Sequence, residues 1–190
     1  PLMSLPRVFG TTLDTIPATI PYLVPCPQRV EKWKNRLHGS SGFRIGLVWA
    51  GRSKPDPKRS ASLQALAPLA AVPGAVLYSL QVGEGAEHLK NPPPGMNIVD
   101  FTAEFTDFSE TAAFIAHLDL IITIDSAAAH LAGAMNKRVW VLLPFAPDWR
   151  WMCGRDDSPW YPGMRLFRQK RPGDWSGAVE SVRKELARDR

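Results

Sequence analysis

The stretch DLIITIDSAAAHLAGAMNKRVWVLLP, residues 119–144, decides the fold. Leu120 to Ile124 suit a buried strand, and the apolar run stops at Asp125. From Ser126 small residues follow at helical spacing, with His130 in the second turn. A second apolar run, residues 138–144, then suits another buried strand. Two strands joined by a helix form a parallel pair, and the crossover between parallel strands is right-handed. Strands that are apolar on both faces belong to a sheet covered by helices on each side.

Working outward, the same rhythm continues. On the amino-terminal side, FRIGLVWAG (43–51), AVLYSLQVG (75–83) and MNIVDF (96–101) predict three strands. SLQALAPLAAV (62–72) predicts a helix capped by Ser62, and SETAAFIAHL (109–118) one capped by Ser109. On the carboxyl side, MRLFRQ (164–169) predicts a sixth strand and residues 174–190 a helix capped by Asp174. Residues 28–37 place Val30, Trp33 and Leu37 on one helical face. Residues 1–27 are rich in proline and threonine and are expected to run extended over a folded body, and HGSSG (38–42) breaks the chain. The fold class is therefore α/β: a doubly wound parallel sheet occupying residues 43–190.

Bulk properties exclude several classes. The 190 residues are 45% hydrophobic and 22% charged, an ordinary globular balance. No apolar run reaches the ~20 residues of a membrane span, and no signal-peptide pattern opens the chain. The chain begins at Pro1 without an initiator methionine, so a piece of a longer protein is expected. Cys26 and Cys153 form neither a Cys-x-x-Cys nor a His/Cys cluster, which points away from disulfides and zinc and towards a reducing, cytoplasmic location. The net charge of +5 suits an anionic partner. The basic residues are scattered rather than striped, which disfavours nucleic acid.

In an open parallel sheet, ligands bind beyond the carboxyl ends of the strands. At residues 124–130, Asp125 or Ser126 can cap the helix, and its free N–H groups can bind an anion. Ala127 to Ala129 keep side chains out of the way, and His130, on the Ser126 face, can turn towards a ligand or serve as an ordinary half-buried histidine. GRSKPDPKR (51–59) gathers Arg52, Lys54, Lys58 and Arg59 around Asp56. Gly51 permits a sharp turn, and Pro55 and Pro57 stiffen the loop, which is either a diphosphate-neutralising loop or a solvated one. In QVGEGAEH (81–88), Gly83 and Gly85 lack the third glycine of a dinucleotide fingerprint and follow the wrong strand. Gln81 and Glu87 can hold a ribose or base, or simply shape a turn. Residues 144–169 crowd Trp149, Trp151, Trp160 and Tyr161 with arginines, as a stacking surface, a contact surface or a self-pinned loop. No Asp-x-Asp pair suggests a metal, and no Walker A, His-Glu-x-x-His or Gly-x-Ser-x-Gly motif is present.

DSAAAHLAGAMNKRVWVLLP resembles the Asp-Ser/Thr-x-x-x-His-Leu-Ala signature of the heptosyltransferase-like glycosyltransferases of family nine. GLVWAG…KRSASL, DWRW, DSPWYP and RLFRQ are similar to the glycosyltransferase region of bacterial TPR-repeat proteins. The resemblance implies a GT-B architecture with this chain as its carboxy-terminal, donor-binding half (43–190). Residues 1–42 would be linker and short helix from the preceding half, and that half and a TPR region would lie in the same parent chain. It implies no cofactor, with a nucleotide-diphosphate sugar as donor substrate. Asp125, Ser126, Ala127 and His130 fall on the donor signature, Lys58 or Arg59 on a phosphate-contacting position, and Glu87 on an acid contacting the nucleoside. Many heptosyltransferases have glycine where Ala127 stands, so a methyl group narrows the approach to the backbone here. The general base of inverting members lies in the other half, and no residue of this chain suits that role. The alternative is a non-catalytic scaffold module retaining the half-fold, with the tryptophan-rich segment as a partner surface.

Overall fold

A computed structural model describes residues 4–39, 41–54 and 56–188. Pro55, Ser40 and the last two residues of the carboxy-terminal helix expected at 174–190 lie outside the described residues. Six parallel strands form one sheet: β1 (Phe43–Val48), β2 (Ala75–Ser79), β3 (Ile98–Asp100), β4 (Leu120–Ile124), β5 (Val139–Leu143) and β6 (Met164–Arg168). Their order is β3-β2-β1-β4-β5-β6. The chain builds outward from β1 to β3, then returns to place β4 on the other side of β1. The order therefore reverses between β1 and β4, where Ile45 is in register with Leu120 and Val48 with Thr123. This reversal opens a crevice at the carboxyl end of the sheet.

Helices α2 (Pro27–Arg36), α3 (Phe108–Ile115) and α4 (Ala127–Ala134) cover one face, and α5 (Trp175–Arg188) packs with a 3-10 segment, Leu63–Ala71, on the other. Strands β4 and β5 are buried along their whole length. Trp33 of α2 is fully buried among Phe101, Phe105 and Phe114, with ring centroids 4.9–5.8 Å away. Its indole N–H donates to Glu110 of α3 at 2.8 Å, tying the two helices together.

Several expectations are corrected. Residues 63–71 form a 3-10 helix rather than an α-helix, because Pro68 inside it has no N–H to donate and crowds an α-turn. Ser62 caps it as expected, accepting from the Ala65 N–H at 3.1 Å. Helix α3 is capped by Asp107, not Ser109: its carboxylate accepts from the Glu110 N–H at 2.8 Å. Asp174 caps α5, accepting from the Gly177 N–H at 2.9 Å. The expected fully extended start holds instead a short helix, α1 (Leu5–Val8), and a 3-10 turn (Leu13–Thr15) closed by reciprocal Thr12 and Thr15 bonds. Beyond it the chain runs extended as a strap, and the Tyr22 and Leu23 N–H groups both donate to the Ala134 carbonyl at the end of α4. None of the helices among the described residues is long and apolar enough to cross a membrane.

Candidate functional site

The crevice is a run of three hollows along the carboxyl edge of the sheet. The first, about 190 Å3, lies at the β1/β4 reversal between Ala50, Gln81, Phe108, Ser126 and Ala127. The second, about 260 Å3, shares Ala50 and continues past Gly51, Ser60 and Glu87. The third, about 390 Å3, shares Ser60 and is lined by Lys58, Phe145, Gln169 and Trp175.

At the first hollow the start of α4 is left open. Thr123 spends its single hydroxyl hydrogen on the Ile124 carbonyl at 2.9 Å. The 2.8 Å contact between Thr123 Oγ1 and Ser126 Oγ is therefore a bond donated by Ser126. Pinned to the strand end, the Ser126 hydroxyl makes no capping bond to the helix. The Ala129 N–H already donates to the Ser126 carbonyl at 3.1 Å, and the Ala127 and Ala128 N–H groups, at the positive end of the helix dipole, meet no acceptor among the described residues. Ala127 is exposed there and Ala128 partly so. Asp125 is only 9% exposed, and its carboxylate meets no hydrogen-bond donor among the described residues.

His130 lies one turn into α4, as the sequence predicts, but its ring is engaged. It stacks on Trp151 at 5.3 Å and 21°, and its Nδ1 is 3.2 Å from the Tyr161 hydroxyl. Burial holds the imidazole below its ordinary 6.5; Asp125 and Asp148 raise it and Arg150 lowers it further.

The basic loop contributes unevenly. Lys58 is exposed at the third hollow, and its N–H donates to the Asp56 carboxylate at 2.9 Å. Arg59 folds back: a Cβ on Gly51 would stand 2.8 Å from Arg59 Nε. The sharp turn ascribed to Gly51 needs correction, because Gly51 is not in the left-handed region. Its missing side chain makes room for the guanidinium. Gly85, by contrast, has φ +88°, and a Cβ there would lie 2.5 Å from that of Ala50.

Gln81 serves the scaffold. Its carbonyl oxygen accepts from the Trp49 and Ala50 N–H groups at 3.0 and 2.9 Å. Its amide donates to the Ala50 and Glu84 carbonyls at 2.9 and 2.7 Å. With both donors and its acceptor spent on backbone, this side chain fixes the floor of the crevice rather than offering a free contact. Glu87 remains at the rim, accepting from the Gly85 N–H at 3.0 Å.

Ser60, Phe108 and Gln169 were not singled out as ligand-facing in the sequence, and Tyr161 stood there only as one of a stacking, contact or self-pinned aromatic group. Ser60 follows the basic loop and accepts from the Gly51 N–H at 3.0 Å. Phe108 opens α3 with its ring 63% exposed beside the first hollow. Among the described residues, no group of three His, Cys, Asp or Glu side chains is placed to hold a metal ion.

Comparison with known proteins agrees with this geometry. A model of the family described as Glycosyltransferase family 9 (heptosyltransferase) matches residues 76–143, from β2 through the open end of α4 to the end of β5. The chain is 28% identical over 179 residues to Protein FlbA of Caulobacter vibrioides, covering 90% of this chain and 30% of that protein. Among solved structures, it superposes on the glycosyl transferase family 9 structure from Veillonella parvula with TM-score 0.70 and 15% identity, covering 99% of this chain and 59% of that one. On the E. coli ADP-heptose lps heptosyltransferase II the TM-score is 0.66 with 18% identity, covering 94% and 58%. These likenesses establish the fold: an α/β parallel sheet of the kind in GT-B glycosyltransferases. The chain spans under a third of its curated relative and under three-fifths of these structures.

Proposed function

We propose that this chain is the donor-binding domain of a nucleotide-sugar-dependent glycosyltransferase that works without a metal ion. The observation that carries the reading is the open end of α4, whose uncapped start at Ser126, Ala127 and Ala128 lines the hollow at the reversal point of the sheet. The family match across these residues supports it.

The chemistry follows from the groups present. The Ala127 and Ala128 N–H groups at the start of α4 bind a phosphate as a helix start does, and Lys58 adds positive charge from the third hollow of the same run. The same groups stabilise the negative charge that builds on the departing nucleoside diphosphate. An ionised carboxylate only accepts hydrogen bonds, so Asp125 addresses hydroxyl groups of the ribose or sugar rather than phosphate. The preceding GT-B half, in the same parent chain, would carry the acceptor site and the general base; a TPR region there belongs to the same proposal, as does a cytoplasmic location.

Calorimetric titration with ADP, UDP, GDP and CDP tests this. One of them is expected to bind saturably, to lose binding in Ser126→Trp, where the indole fills the approach to the amides, and to weaken about tenfold in Lys58→Ala. Affinity unchanged in both variants would remove the site from α4.

A further inference from the structure

One turn into α4, a buried hydroxyl from a distant loop is aimed at His130. Tyr161 comes from the aromatic loop before β6 and is 8% exposed. Its ring lies on Gly133 so closely that a Cβ there would stand 2.7 Å from Cγ and Cδ1. This approach carries the phenol to His130 Nδ1 at 3.2 Å, and Tyr22 of the strap closes on the same hydroxyl at 3.3 Å. Trp151 stacks on the imidazole at 21°. Two aromatic neighbours thus set the tilt of the ring, and Nδ1 is the nitrogen turned into the protein.

The direction of these bonds decides the tautomer. A phenol is a good donor and a poor acceptor, whereas an unprotonated imidazole nitrogen is a strong neutral acceptor. The favourable pairing sends the Tyr161 hydrogen to Nδ1. Tyr22, 58% exposed, gives its own hydrogen to Tyr161. The reverse order would set an imidazole N–H against a weakly accepting phenol oxygen.

We propose that Tyr161 is a positioning residue that holds His130 as the neutral Nε2–H tautomer, so that α4 presents an N–H donor to an anionic oxygen of the donor diphosphate. The tautomer rests on geometry alone; the ligand it serves rests on the function proposed above. The charged groups around the ring are Asp125, Asp148 and Arg150, and burial outweighs them in keeping the ring neutral.

Long-range 1H–15N correlation of the histidine rings reads the tautomer directly. The protein holds four histidines, and His130→Gln identifies the signal. At about pH 8, above the ordinary imidazole value, His130 is expected to show a protonated Nε2 and a bare Nδ1. Tyr161→Phe keeps the ring and removes the hydroxyl, and should move the signal towards a mixture of tautomers. Gly133→Ala should move it the same way by pushing the ring back. Tyr22→Phe should leave Nε2 protonated. A protonated Nδ1 in the unaltered protein, or no change in Tyr161→Phe, overturns the assignment. Titration with the nucleoside diphosphates separates the two halves: Tyr161→Phe is expected to weaken binding roughly threefold to tenfold, and undiminished affinity overturns the ligand half. The expected tautomer in a protein that binds none of them upholds the Tyr161 assignment and defeats the donor reading alone.

Discussion

Two carboxylates in this protein are buried to nearly the same degree and are treated in opposite ways. Glu110 is 8% exposed and Asp125 9%. Glu110 accepts from the Trp33 indole at 2.8 Å and lies 3.4 Å from Lys32 and 3.7 Å from Arg29. Asp125 has no such donor among the described residues. Keeping a charge out of water is costly unless it is paired. Glu110 is thus spent on holding helices together, whereas the Asp125 carboxylate, with no donor among the described residues, keeps its oxygens in reach of solvent and, under the function proposed above, of a ligand.

The largest effect should come from the satisfied side. Trp33→Ala removes the centre of an aromatic cluster as well as the donor, and is expected to cost about 3–5 kcal/mol in denaturant unfolding. Glu110→Ala should cost about 2 kcal/mol, below the usual range for a broken buried pair, because Lys32 and Arg29 reach solvent. Glu110→Gln, which keeps an acceptor for the indole, should cost less than Glu110→Ala. If Glu110→Ala unfolds at the same denaturant concentration as the unaltered protein, the contrast is lost.

Asp125→Ala should break the pattern in the other direction. Stability is expected to hold within about 0.5 kcal/mol or rise. Affinity for a sugar-bearing donor should fall about tenfold, or ~1.4 kcal/mol, while the bare nucleoside diphosphate binds at least as well. Equal losses for both ligands would place Asp125 against phosphate instead.

The smallest expected effect is a pH dependence. With its folded pKa held below 6.5, His130 takes up its proton more readily in the unfolded chain. Its contribution is therefore complete above 6.5 and is lost as the pH falls below that value towards the folded pKa. His130→Gln should flatten stability across this window. The lowered values of Asp107 and Asp174 act separately, with stability present above the ordinary carboxylate value of 3.8 and lost below it. A slope between neutrality and about pH 5 that survives His130→Gln would show that other groups produce it.

The sheet and the position of α4 were legible because strands apolar on both faces and a small-residue helix leave a periodic trace. The Asp107 cap is legible too, in the Asp-x-x-Glu spacing to Glu110, but Ser109, nearer the apolar run, competes for the same role. Other features had no local signature. Gln81 looks like any polar residue after a strand, and its contacts with the Trp49 and Ala50 backbone appear only once β1 and β2 lie side by side. Tyr161 reaches His130 across 31 positions, through the gap left by Gly133. Pro68 was visible, but whether a proline bends, ends or tightens a helix depends on what packs against it.

The Gln81 clamp has a thermodynamic consequence. Its contacts make the ends of β1 and β2 part of the sheet, so this wall of the crevice has little conformational freedom left to lose. The facing loop, residues 52–54 and 56–59, is largely exposed and held by few bonds, among them the Ser53 N–H to Glu84 at 2.8 Å. The entropy of ordering a ligand site thus falls on one wall, so shortening or stiffening that loop, with no new contact to the ligand, would tighten binding by slowing dissociation.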